Sequence, residues 1–198
     1  SSKDSQSAIL KSLIHHAANY TPRGAFFIIK NEHFVGWKVF GKEGTTGEDA
    51  IREIHFPISA DSILGKAVTS LTTVEGSSGT FPDDSAFLDA LEFGSPDRMY
   101  AIPLTARGRG VAVLYADYGH EGINLNTDAL ESLVKVAGMT VELLASTRSA
   151  RSADAVSADD HAGSHDLNPT VDYNREEFES AIASVDHYAE PTFETPSA

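Results

Sequence analysis

Hydrophobic residues near the start of the chain predict a helix followed by a β-hairpin. Within residues 8–19 they recur three and four positions apart, which predicts an amphipathic helix that Pro22 prevents from continuing. Segments 24–30 and 34–40 are rich in aromatic and β-branched residues, and the polar residues between them predict a β-hairpin. The next stretch, residues 41–49, has the Gly- and Thr-rich composition of a loop.

The middle of the chain predicts shorter elements. We expect Asp61 and Ser62 to cap a helix over residues 62–70, because short oxygen-bearing side chains bind the free N–H groups at a helix start. A short strand is expected within residues 71–75, and a short helical stretch is expected to follow Ser85.

The clearest unit lies at the end of the patterned region. Residues 98–105 and 111–118 predict two strands of a hairpin, joined by a turn that contains two glycines. Thr127 is expected to cap a long helix over residues 127–147. Strands grouped in hairpins with helices before and after them predict an α+β fold with an antiparallel sheet. The inner stripe of the long helix consists of Leu130, Leu133, Val134, Ala137, Val141 and Leu144.

A second apolar row runs along the same long helix. Ala129, Val136 and Leu143 recur every seven residues, which is the spacing of residues that pack against another helix. The partner helix belongs either to the start of this chain or to a second subunit. We therefore predict this row as a dimer interface.

Acidic residues outnumber basic ones most strongly at the end of the chain. The formal net charge is −14, and residues 146–198 contribute −8 of it with 11 Asp/Glu against 3 Lys/Arg. That segment has few large apolar residues, so it buries too little surface to offset its ordering entropy. We predict a domain over residues 1–147 and an acidic, largely disordered tail over residues 148–198. A capping pattern predicts one short helix at 174–188, a candidate binding segment for a protein partner.

The composition argues against several classes of function. An acidic surface repels phosphate backbones, so we expect no nucleic-acid binding. No apolar run approaches the ~20 residues that span a bilayer, and residues 1–4 contain no signal core, so we expect a cytoplasmic protein that does not enter membranes. The missing initiating Met predicts a piece cut from a longer sequence. The lack of cysteine excludes disulfides, thiolate metal sites and thioether-linked chromophores.

One known family shares the order of these elements. Residues 99–104 (MYAIPL), the turn at 107–110 and residues 111–117 (VAVLYAD) resemble the strand–turn–strand pattern of the GAF domain family. Residues 56–68 are similar to the family's helix before its middle strand. The resemblance covers nearly all of residues 5–147.

The resemblance implies an antiparallel sheet with the N- and C-terminal helices on one face and short helices and loops over the other, where family members have a ligand pocket. Members bind cyclic nucleotides, tetrapyrroles or small metabolites, or serve only in dimerisation and signal relay. This sequence has no Asn-Lys-Phe-Asp-Glu signature of the cyclic-nucleotide binders and no cysteine for a bilin or for the free methionine sulfoxide reductase branch. We therefore expect no assigned cofactor.

A ligand pocket on the open face of the sheet would be lined by aromatic and apolar side chains with one or two polar groups. Trp37 is either such a lining residue or an anchor of the core or of an interface. Neither a nucleophile elbow nor a phosphate-binding loop is present, and no metal site is predicted. The predicted pocket residues are Trp37, Phe87, Leu91, Met99, Tyr115 and Asp117.

Two functional hypotheses follow for a chain that we expect not to be an enzyme. In the first, a regulatory domain of a bacterial-type signalling protein binds a small molecule on one face of its sheet and relays occupancy through its terminal helices. In the second, the same domain has a closed pocket and serves only in homodimerisation or partner docking. A cavity of roughly 300 Å³ or more with polar groups converging on it would favour the first.

Overall fold

The computed structural model describes residues 2–41, 48–118 and 125–156, and side chains within 6–41, 50–118 and 125–147. The predicted helix at 174–188 and nearly all of the predicted tail lie outside these residues. Within them, no helix is both long and apolar enough to cross a bilayer. The helices are α1 (Ser2–Ala17), α2 (Glu48–Arg52), α3 (Ile63–Ser70), α4 (Ser85–Leu88) and α5 (Thr127–Val156), with a 3-10 turn at Pro82–Asp84 before α4. The strands are β1 (Arg23–Lys30), β2 (His33–Phe40), β3 (His55–Pro57), β4 (Val74–Gly76), β5 (Met99–Ala106) and β6 (Arg109–Asp117).

These strands form one antiparallel sheet in the order β3-β2-β1-β6-β5-β4. The hairpins β1–β2 and β5–β6 are the two that the sequence predicted, and both turn through residues with positive φ. In the first turn these are Asn31 (φ 48°) and Glu32 (φ 59°), and in the second they are Arg107 (φ 50°) and Gly108 (φ 73°). Such two-residue turns match the right-handed twist of the strands they join. The predicted α+β class is therefore confirmed.

The sheet separates two hydrophobic layers. On one face α5 packs on β5 and α1 packs beside α5, covering apolar side chains such as Phe26 and Leu114. On the other face lie α2, α3, α4 and their connecting loops, over side chains such as Phe27 and Tyr115. Successive strand residues point to opposite faces, so neighbouring positions of β1 and β6 serve different cores.

The long helix differs from its prediction at both ends. Its start is capped by Asn126, whose Oδ1 accepts a hydrogen bond from the backbone N–H of Ala129 (3.0 Å), so the predicted cap at Thr127 is wrong by one residue. The N–H of Asn126 also donates to the carbonyl of Tyr20 (2.9 Å), which ties the start of α5 to the end of the α1 region. The helix continues to Val156 instead of ending near Thr147, because alanine and arginine in that stretch favour helix even where few apolar residues need burial.

The short helix α2 begins at Glu48, within the stretch 41–49 that was predicted as a loop, and the sequence pattern did not predict it. Ile51 of α2 is fully buried, and the N–H of Gly36 in β2 donates to the carbonyl of Ile54 just after the helix (3.0 Å). A single apolar residue carries the packing of α2, so no helical period was visible in five residues.

Gly138 sets the distance between α5 and the sheet. A Cβ added there would lie 2.7 Å from the carbonyl oxygen of Thr105 in β5. We expect Gly138→Ala to lower the free energy of unfolding by about 1–2 kcal/mol, because the helix must lift from the strand. Helix propensity alone would give the opposite sign, a gain of about 1 kcal/mol. Urea denaturation measures the unfolding free energy of Gly138→Ala, with Ser132→Ala at an exposed position of α5 as the control. A gain in stability for Gly138→Ala would contradict the close contact between α5 and β5.

Candidate functional site

Six buried aromatic side chains of the described residues lie on the sheet face that α1 and α5 leave open, and five of them are in contact through Phe87 and Tyr115. We call these five the aromatic cluster: Phe27, Phe56, Phe87, Phe93 and Tyr115. The Phe87 ring lies at its centre, with ring centroids 5.6 Å from Phe27, 6.1 Å from Phe56 and 5.1 Å from Tyr115. Phe93 stacks on Tyr115 at 5.9 Å. None of the five is more than 7% exposed. The side chains of the protein itself therefore occupy the space where a ligand pocket was expected.

An ion pair closes one end of the aromatic cluster. Asp117, at the end of β6, is paired with Arg23 at the start of β1, since the two residues are partners in the sheet register. The Arg23 guanidinium donates to Asp117 and also to the carbonyl of Phe93 (2.6 Å). It lies over the Phe93 ring at 4.4 Å from the centroid, a favourable cation–π position. The side chain of Asp117 is fully buried and that of Arg23 is 13% exposed.

The Tyr115 hydroxyl joins the ion pair to the aromatic cluster. It donates a hydrogen bond to Asp117 and lies 3.9 Å from the sulfur of Met99. Burial raises the pKa of Tyr115 well above its ordinary value, and the negative charge of Asp117 adds to that shift. The phenol therefore stays neutral and acts as a donor, which stabilises the Asp117 carboxylate inside the protein.

The structure brings five of the six predicted pocket residues together. Phe87, Leu91, Met99, Tyr115 and Asp117 all lie on the open face of the sheet, and each is fully buried. They contact one another and contribute to a packed core. That these residues bind a ligand stays a prediction.

Trp37 is the exception, and its predicted position in the pocket is wrong. Its ring lies on the helix-covered face, where it meets Phe26 edge-on at 5.7 Å and stays half-buried. Gly36 pairs with Phe27 and Lys38 pairs with Phe26, so Trp37 is the extra residue of a bulge in β2. Trp37 keeps the face of Val35, while Val39 moves to the other face. The alternation of faces along β2 is therefore interrupted at the bulge.

Sequence reasoning missed Arg23 and three aromatic residues of this site. Phe27 lies in a strand that is buried on both faces, so no alternation marked its direction. Arg23 and Asp117 are 94 residues apart, and only the β1–β6 pairing makes them neighbours. Phe56 and Phe93 lie in a three-residue strand and a loop, where no period exists to assign them.

The surface near the aromatic cluster contains an open cleft of about 390 Å³. Phe56 and Pro57 form its apolar part, while Ser59, Asp83 and Ser85 offer polar groups at the rim. A second open cleft, of about 480 Å³, lies beside β4 and is lined mainly by charged and hydroxyl side chains such as Glu75, Thr80 and Arg98. No group of three or more His, Asp or Glu side chains among the described residues is arranged to hold a metal ion.

Unpaired apolar side chains lie on α5, on the side away from the sheet. Val136 is 56% exposed, Met139 is 55% exposed and Leu143 is 64% exposed. Their spacing of three and four residues puts them on one stripe of the helix. The predicted interface residues Val136 and Leu143 are thus both exposed, and Ala129, one heptad earlier, is half-buried.

Comparison with solved structures identifies the architecture. The chain matches the GAF domain of PixJ from Thermosynechococcus elongatus, in its blue-light absorbing form, with a TM-score of 0.59 at 12% identity over 81% of this chain and 97% of that one. It also matches the GAF domain of a two-component sensor histidine kinase from Bacillus halodurans, with a TM-score of 0.50 at 20% identity over 69% of this chain and 95% of that one. The chain has a GAF-like fold.

A third structural neighbour is an enzyme. The type II free methionine-R-sulfoxide reductase from Thermoplasma acidophilum matches with a TM-score of 0.53 at 12% identity over 73% of this chain and 97% of that chain. No protein-family model matches the sequence, and no curated protein matches it either. At these identities the likeness establishes the GAF-like fold, which occurs here in light-absorbing, kinase-linked and enzymatic proteins alike.

Proposed function

We propose that this GAF-like domain is a non-enzymatic regulatory module that acts by forming a homodimer through α5. The exposed stripe of Val136, Met139 and Leu143 is the observation that carries the proposal. These are three of the five large hydrophobic side chains that are exposed among the described residues, and they lie within about two turns of one helix. Such a concentration of apolar surface marks an interaction site rather than a scattered background.

The shape of the stripe favours a second copy of the same helix as its occupant. Apolar residues three and four positions apart fit the surface of another helix, and the sheet-facing row of Leu130, Val134 and Val141 is a separate, fully covered row. The sheet-facing row of α5 packs within its own domain, and the exposed stripe can pack against the same stripe of a second copy, since a two-fold axis brings identical patches together. α5 extends to Val156, which provides further helix along which two copies could pair.

The mass of the protein in solution tests this proposal. We expect sedimentation across a dilution series to show a dimer that dissociates on dilution. The double substitution Val136→Glu with Leu143→Glu is expected to give a monomer with unchanged circular dichroism, because it places charge in the apolar stripe. Lys66→Glu, at an exposed position of α3 on the opposite side of the sheet, lowers the net charge by the same two units and serves as the matched control. A monomeric parent protein, or a double variant that still dimerises, would sink the proposal.

The proposed sensory role rests on the solved structures that this chain matches. Two of the matched domains belong to a sensor histidine kinase and to a blue-light absorbing protein, so we propose that this domain also passes a signal to attached sequence. We propose no methionine sulfoxide reductase activity for it, because the chain has no cysteine to support that chemistry.

Small-molecule binding at the 390 Å³ cleft is the second candidate function, favoured by its apolar floor and polar rim. A thermal-shift screen with nucleotides, haem, tetrapyrroles and amino acids tests it. The expected result is a rise in melting temperature with one class of compound, lost in Ala86→Trp, which fills the cleft. A response that Ala86→Trp leaves unchanged would place binding elsewhere, and a flat screen would reject these ligand classes.

A further inference from the structure

Asp84 is a buried carboxylic acid with one satisfied oxygen and one unsatisfied oxygen. It ends the 3-10 turn before α4 and is only 2% exposed. Its Oδ1 accepts a hydrogen bond from the backbone N–H of Ile63, the first residue of α3 (2.8 Å). Its Oδ2 is buried and has no hydrogen-bond partner. A charged oxygen in that position is costly, whereas a protonated one is much less so.

Two more aspartates, Asp61 and Asp83, lie where the segment of residues 81–84 meets the start of α3, a contact that we call the junction. The Asp83 side chain accepts from the N–H of Asp61 (2.8 Å), and the N–H of Asp83 donates to the carbonyl of Asp61 (3.1 Å). Ser62 caps α3 through its hydroxyl, which accepts from the N–H of Gly65 (3.0 Å). The two bonds between Asp61 and Asp83, together with that between Ile63 and Asp84, fasten the segment of residues 81–84 to the start of α3.

The other charged and titratable groups facing Asp84 come from the sheet. The negative charge of Asp84 is the smallest of the causes that raise the pKa of the buried Tyr115 in the aromatic cluster. Behind Tyr115 lie Asp117 and Arg23, which largely neutralise each other. Burial raises the pKa of Asp84 to about 6, and the charges of Asp61 and Asp83 add to the shift, against the lowering effect of the Ile63 hydrogen bond.

We propose that Asp84 is a proton-operated latch that holds the cover of the aromatic cluster against α3 when protonated and loosens it when ionised. The cover is the segment of residues 81–93, which carries Phe87 and Phe93 into the aromatic cluster and Leu88 and Leu91 into the surrounding core. The latch is independent of dimerisation through α5, because it lies on the opposite face of the sheet.

The direction of the pH effect follows from the raised pKa. When the cover is closed, Asp84 binds its proton more tightly than when the cover is open, because in the open form its pKa returns to the ordinary 3.8. Closure is therefore favoured most at low pH and loses stability as the pH rises from that value through about 6. Between about pH 5 and about pH 7.5 the opening equilibrium should rise about tenfold.

Hydrogen exchange of the full chain measures this opening. The amides of Ile63, Leu91 and Phe93 are all hydrogen-bonded at the junction or within the cover. We expect their protection, corrected for the intrinsic exchange rate, to fall about tenfold between about pH 5 and about pH 7.5. Asp84→Asn keeps an acceptor for Ile63 but cannot ionise, so the pH dependence should disappear. The matched control Asp89→Asn, an exposed position in the same segment, should keep it.

A direct titration keeps the proposal testable should Asp84→Asn fail to fold. The side-chain carboxyl carbon of Asp84 in the parent protein should titrate by NMR with a pKa of about 6. Asp61→Asn should lower that midpoint, since it removes one of the repelling charges. An ordinary midpoint for Asp84, or equal corrected protection at both pH values, would overturn the latch.

Discussion

Replacing Asp117 with alanine is expected to lower the free energy of unfolding by about 3–5 kcal/mol. The substitution leaves the guanidinium of Arg23, with 13% of its side chain exposed, without its carboxylate partner. It also removes the acceptor of the Tyr115 hydroxyl, which burial prevents from ionising. An unpaired charge and an unpaired hydroxyl at one buried position cost far more than the lost contact itself. Urea denaturation at neutral pH measures the change.

The exposed ion pair between Arg98 and Glu75 is the natural control for Asp117→Ala. Its nitrogen and oxygen lie 2.5 Å apart, yet the side chains are 56% and 49% exposed. Water and salt screen such a pair, so we expect Glu75→Ala to leave the stability within the error of the measurement. If Asp117→Ala were equally mild, the Arg23–Asp117 pair would have to be solvated, and its proposed role in closing the aromatic cluster would fail.

The order of elements in this GAF-like fold could be predicted because its signals are local. The two hairpins have β-rich strands around polar turns, and the long helix has an apolar stripe over several turns. The exposed row of Val136 and Leu143 was visible for the same reason, as a second period on one helix. Each of these signals needs only neighbours within about two turns or one strand.

The site could be predicted only in part because its decisive contacts are not local. Tyr115 and Asp117 were placed on the correct face by their alternation in β6. Their partner Arg23 depends on which strands pair at the centre of the sheet, and the face of Trp37 depends on which side of β2 the terminal helices cover. The bulge in β2 reverses the faces of the positions after Trp37, so Val39 and not Trp37 lies on the open face of the sheet.

The packing of the aromatic cluster changes the balance between the two functional hypotheses. A pocket plugged by its own aromatic side chains was the feature expected of an interaction module, and Phe87 and Tyr115 are in contact and fully buried. The exposed apolar surface lies instead on α5. Ligand binding in the core would have to displace rings that already satisfy one another, which is why the open cleft beside Phe56 is the better place to look for a ligand.

Gly36→Ala is expected to lower the free energy of unfolding by about 3 kcal/mol or more. A Cβ at this position of β2 would lie 1.9 Å from the carbonyl oxygen of Ile51 and 2.6 Å from its Cγ1. The first of these is a backbone atom, so α2 must move away from the strand and the bond from the Gly36 N–H to Ile54 (3.0 Å) is lost with it. The buried side chain of Ile51 then leaves the core, which adds a hydrophobic cost.

Gly76→Ala separates this steric effect from the general cost of replacing a strand glycine. A Cβ at Gly76 would meet only the ends of side chains, the closest being Phe81 Cε2 at 3.3 Å, and these can shift. We expect its free energy of unfolding to change by less than about 1 kcal/mol. Equal losses in the two variants would mean that α2 yields freely, and β2 would then hold its place without it. A large loss confined to Gly36→Ala would instead show that a helix of five residues, carried by one buried isoleucine, holds the outer half of the sheet in register.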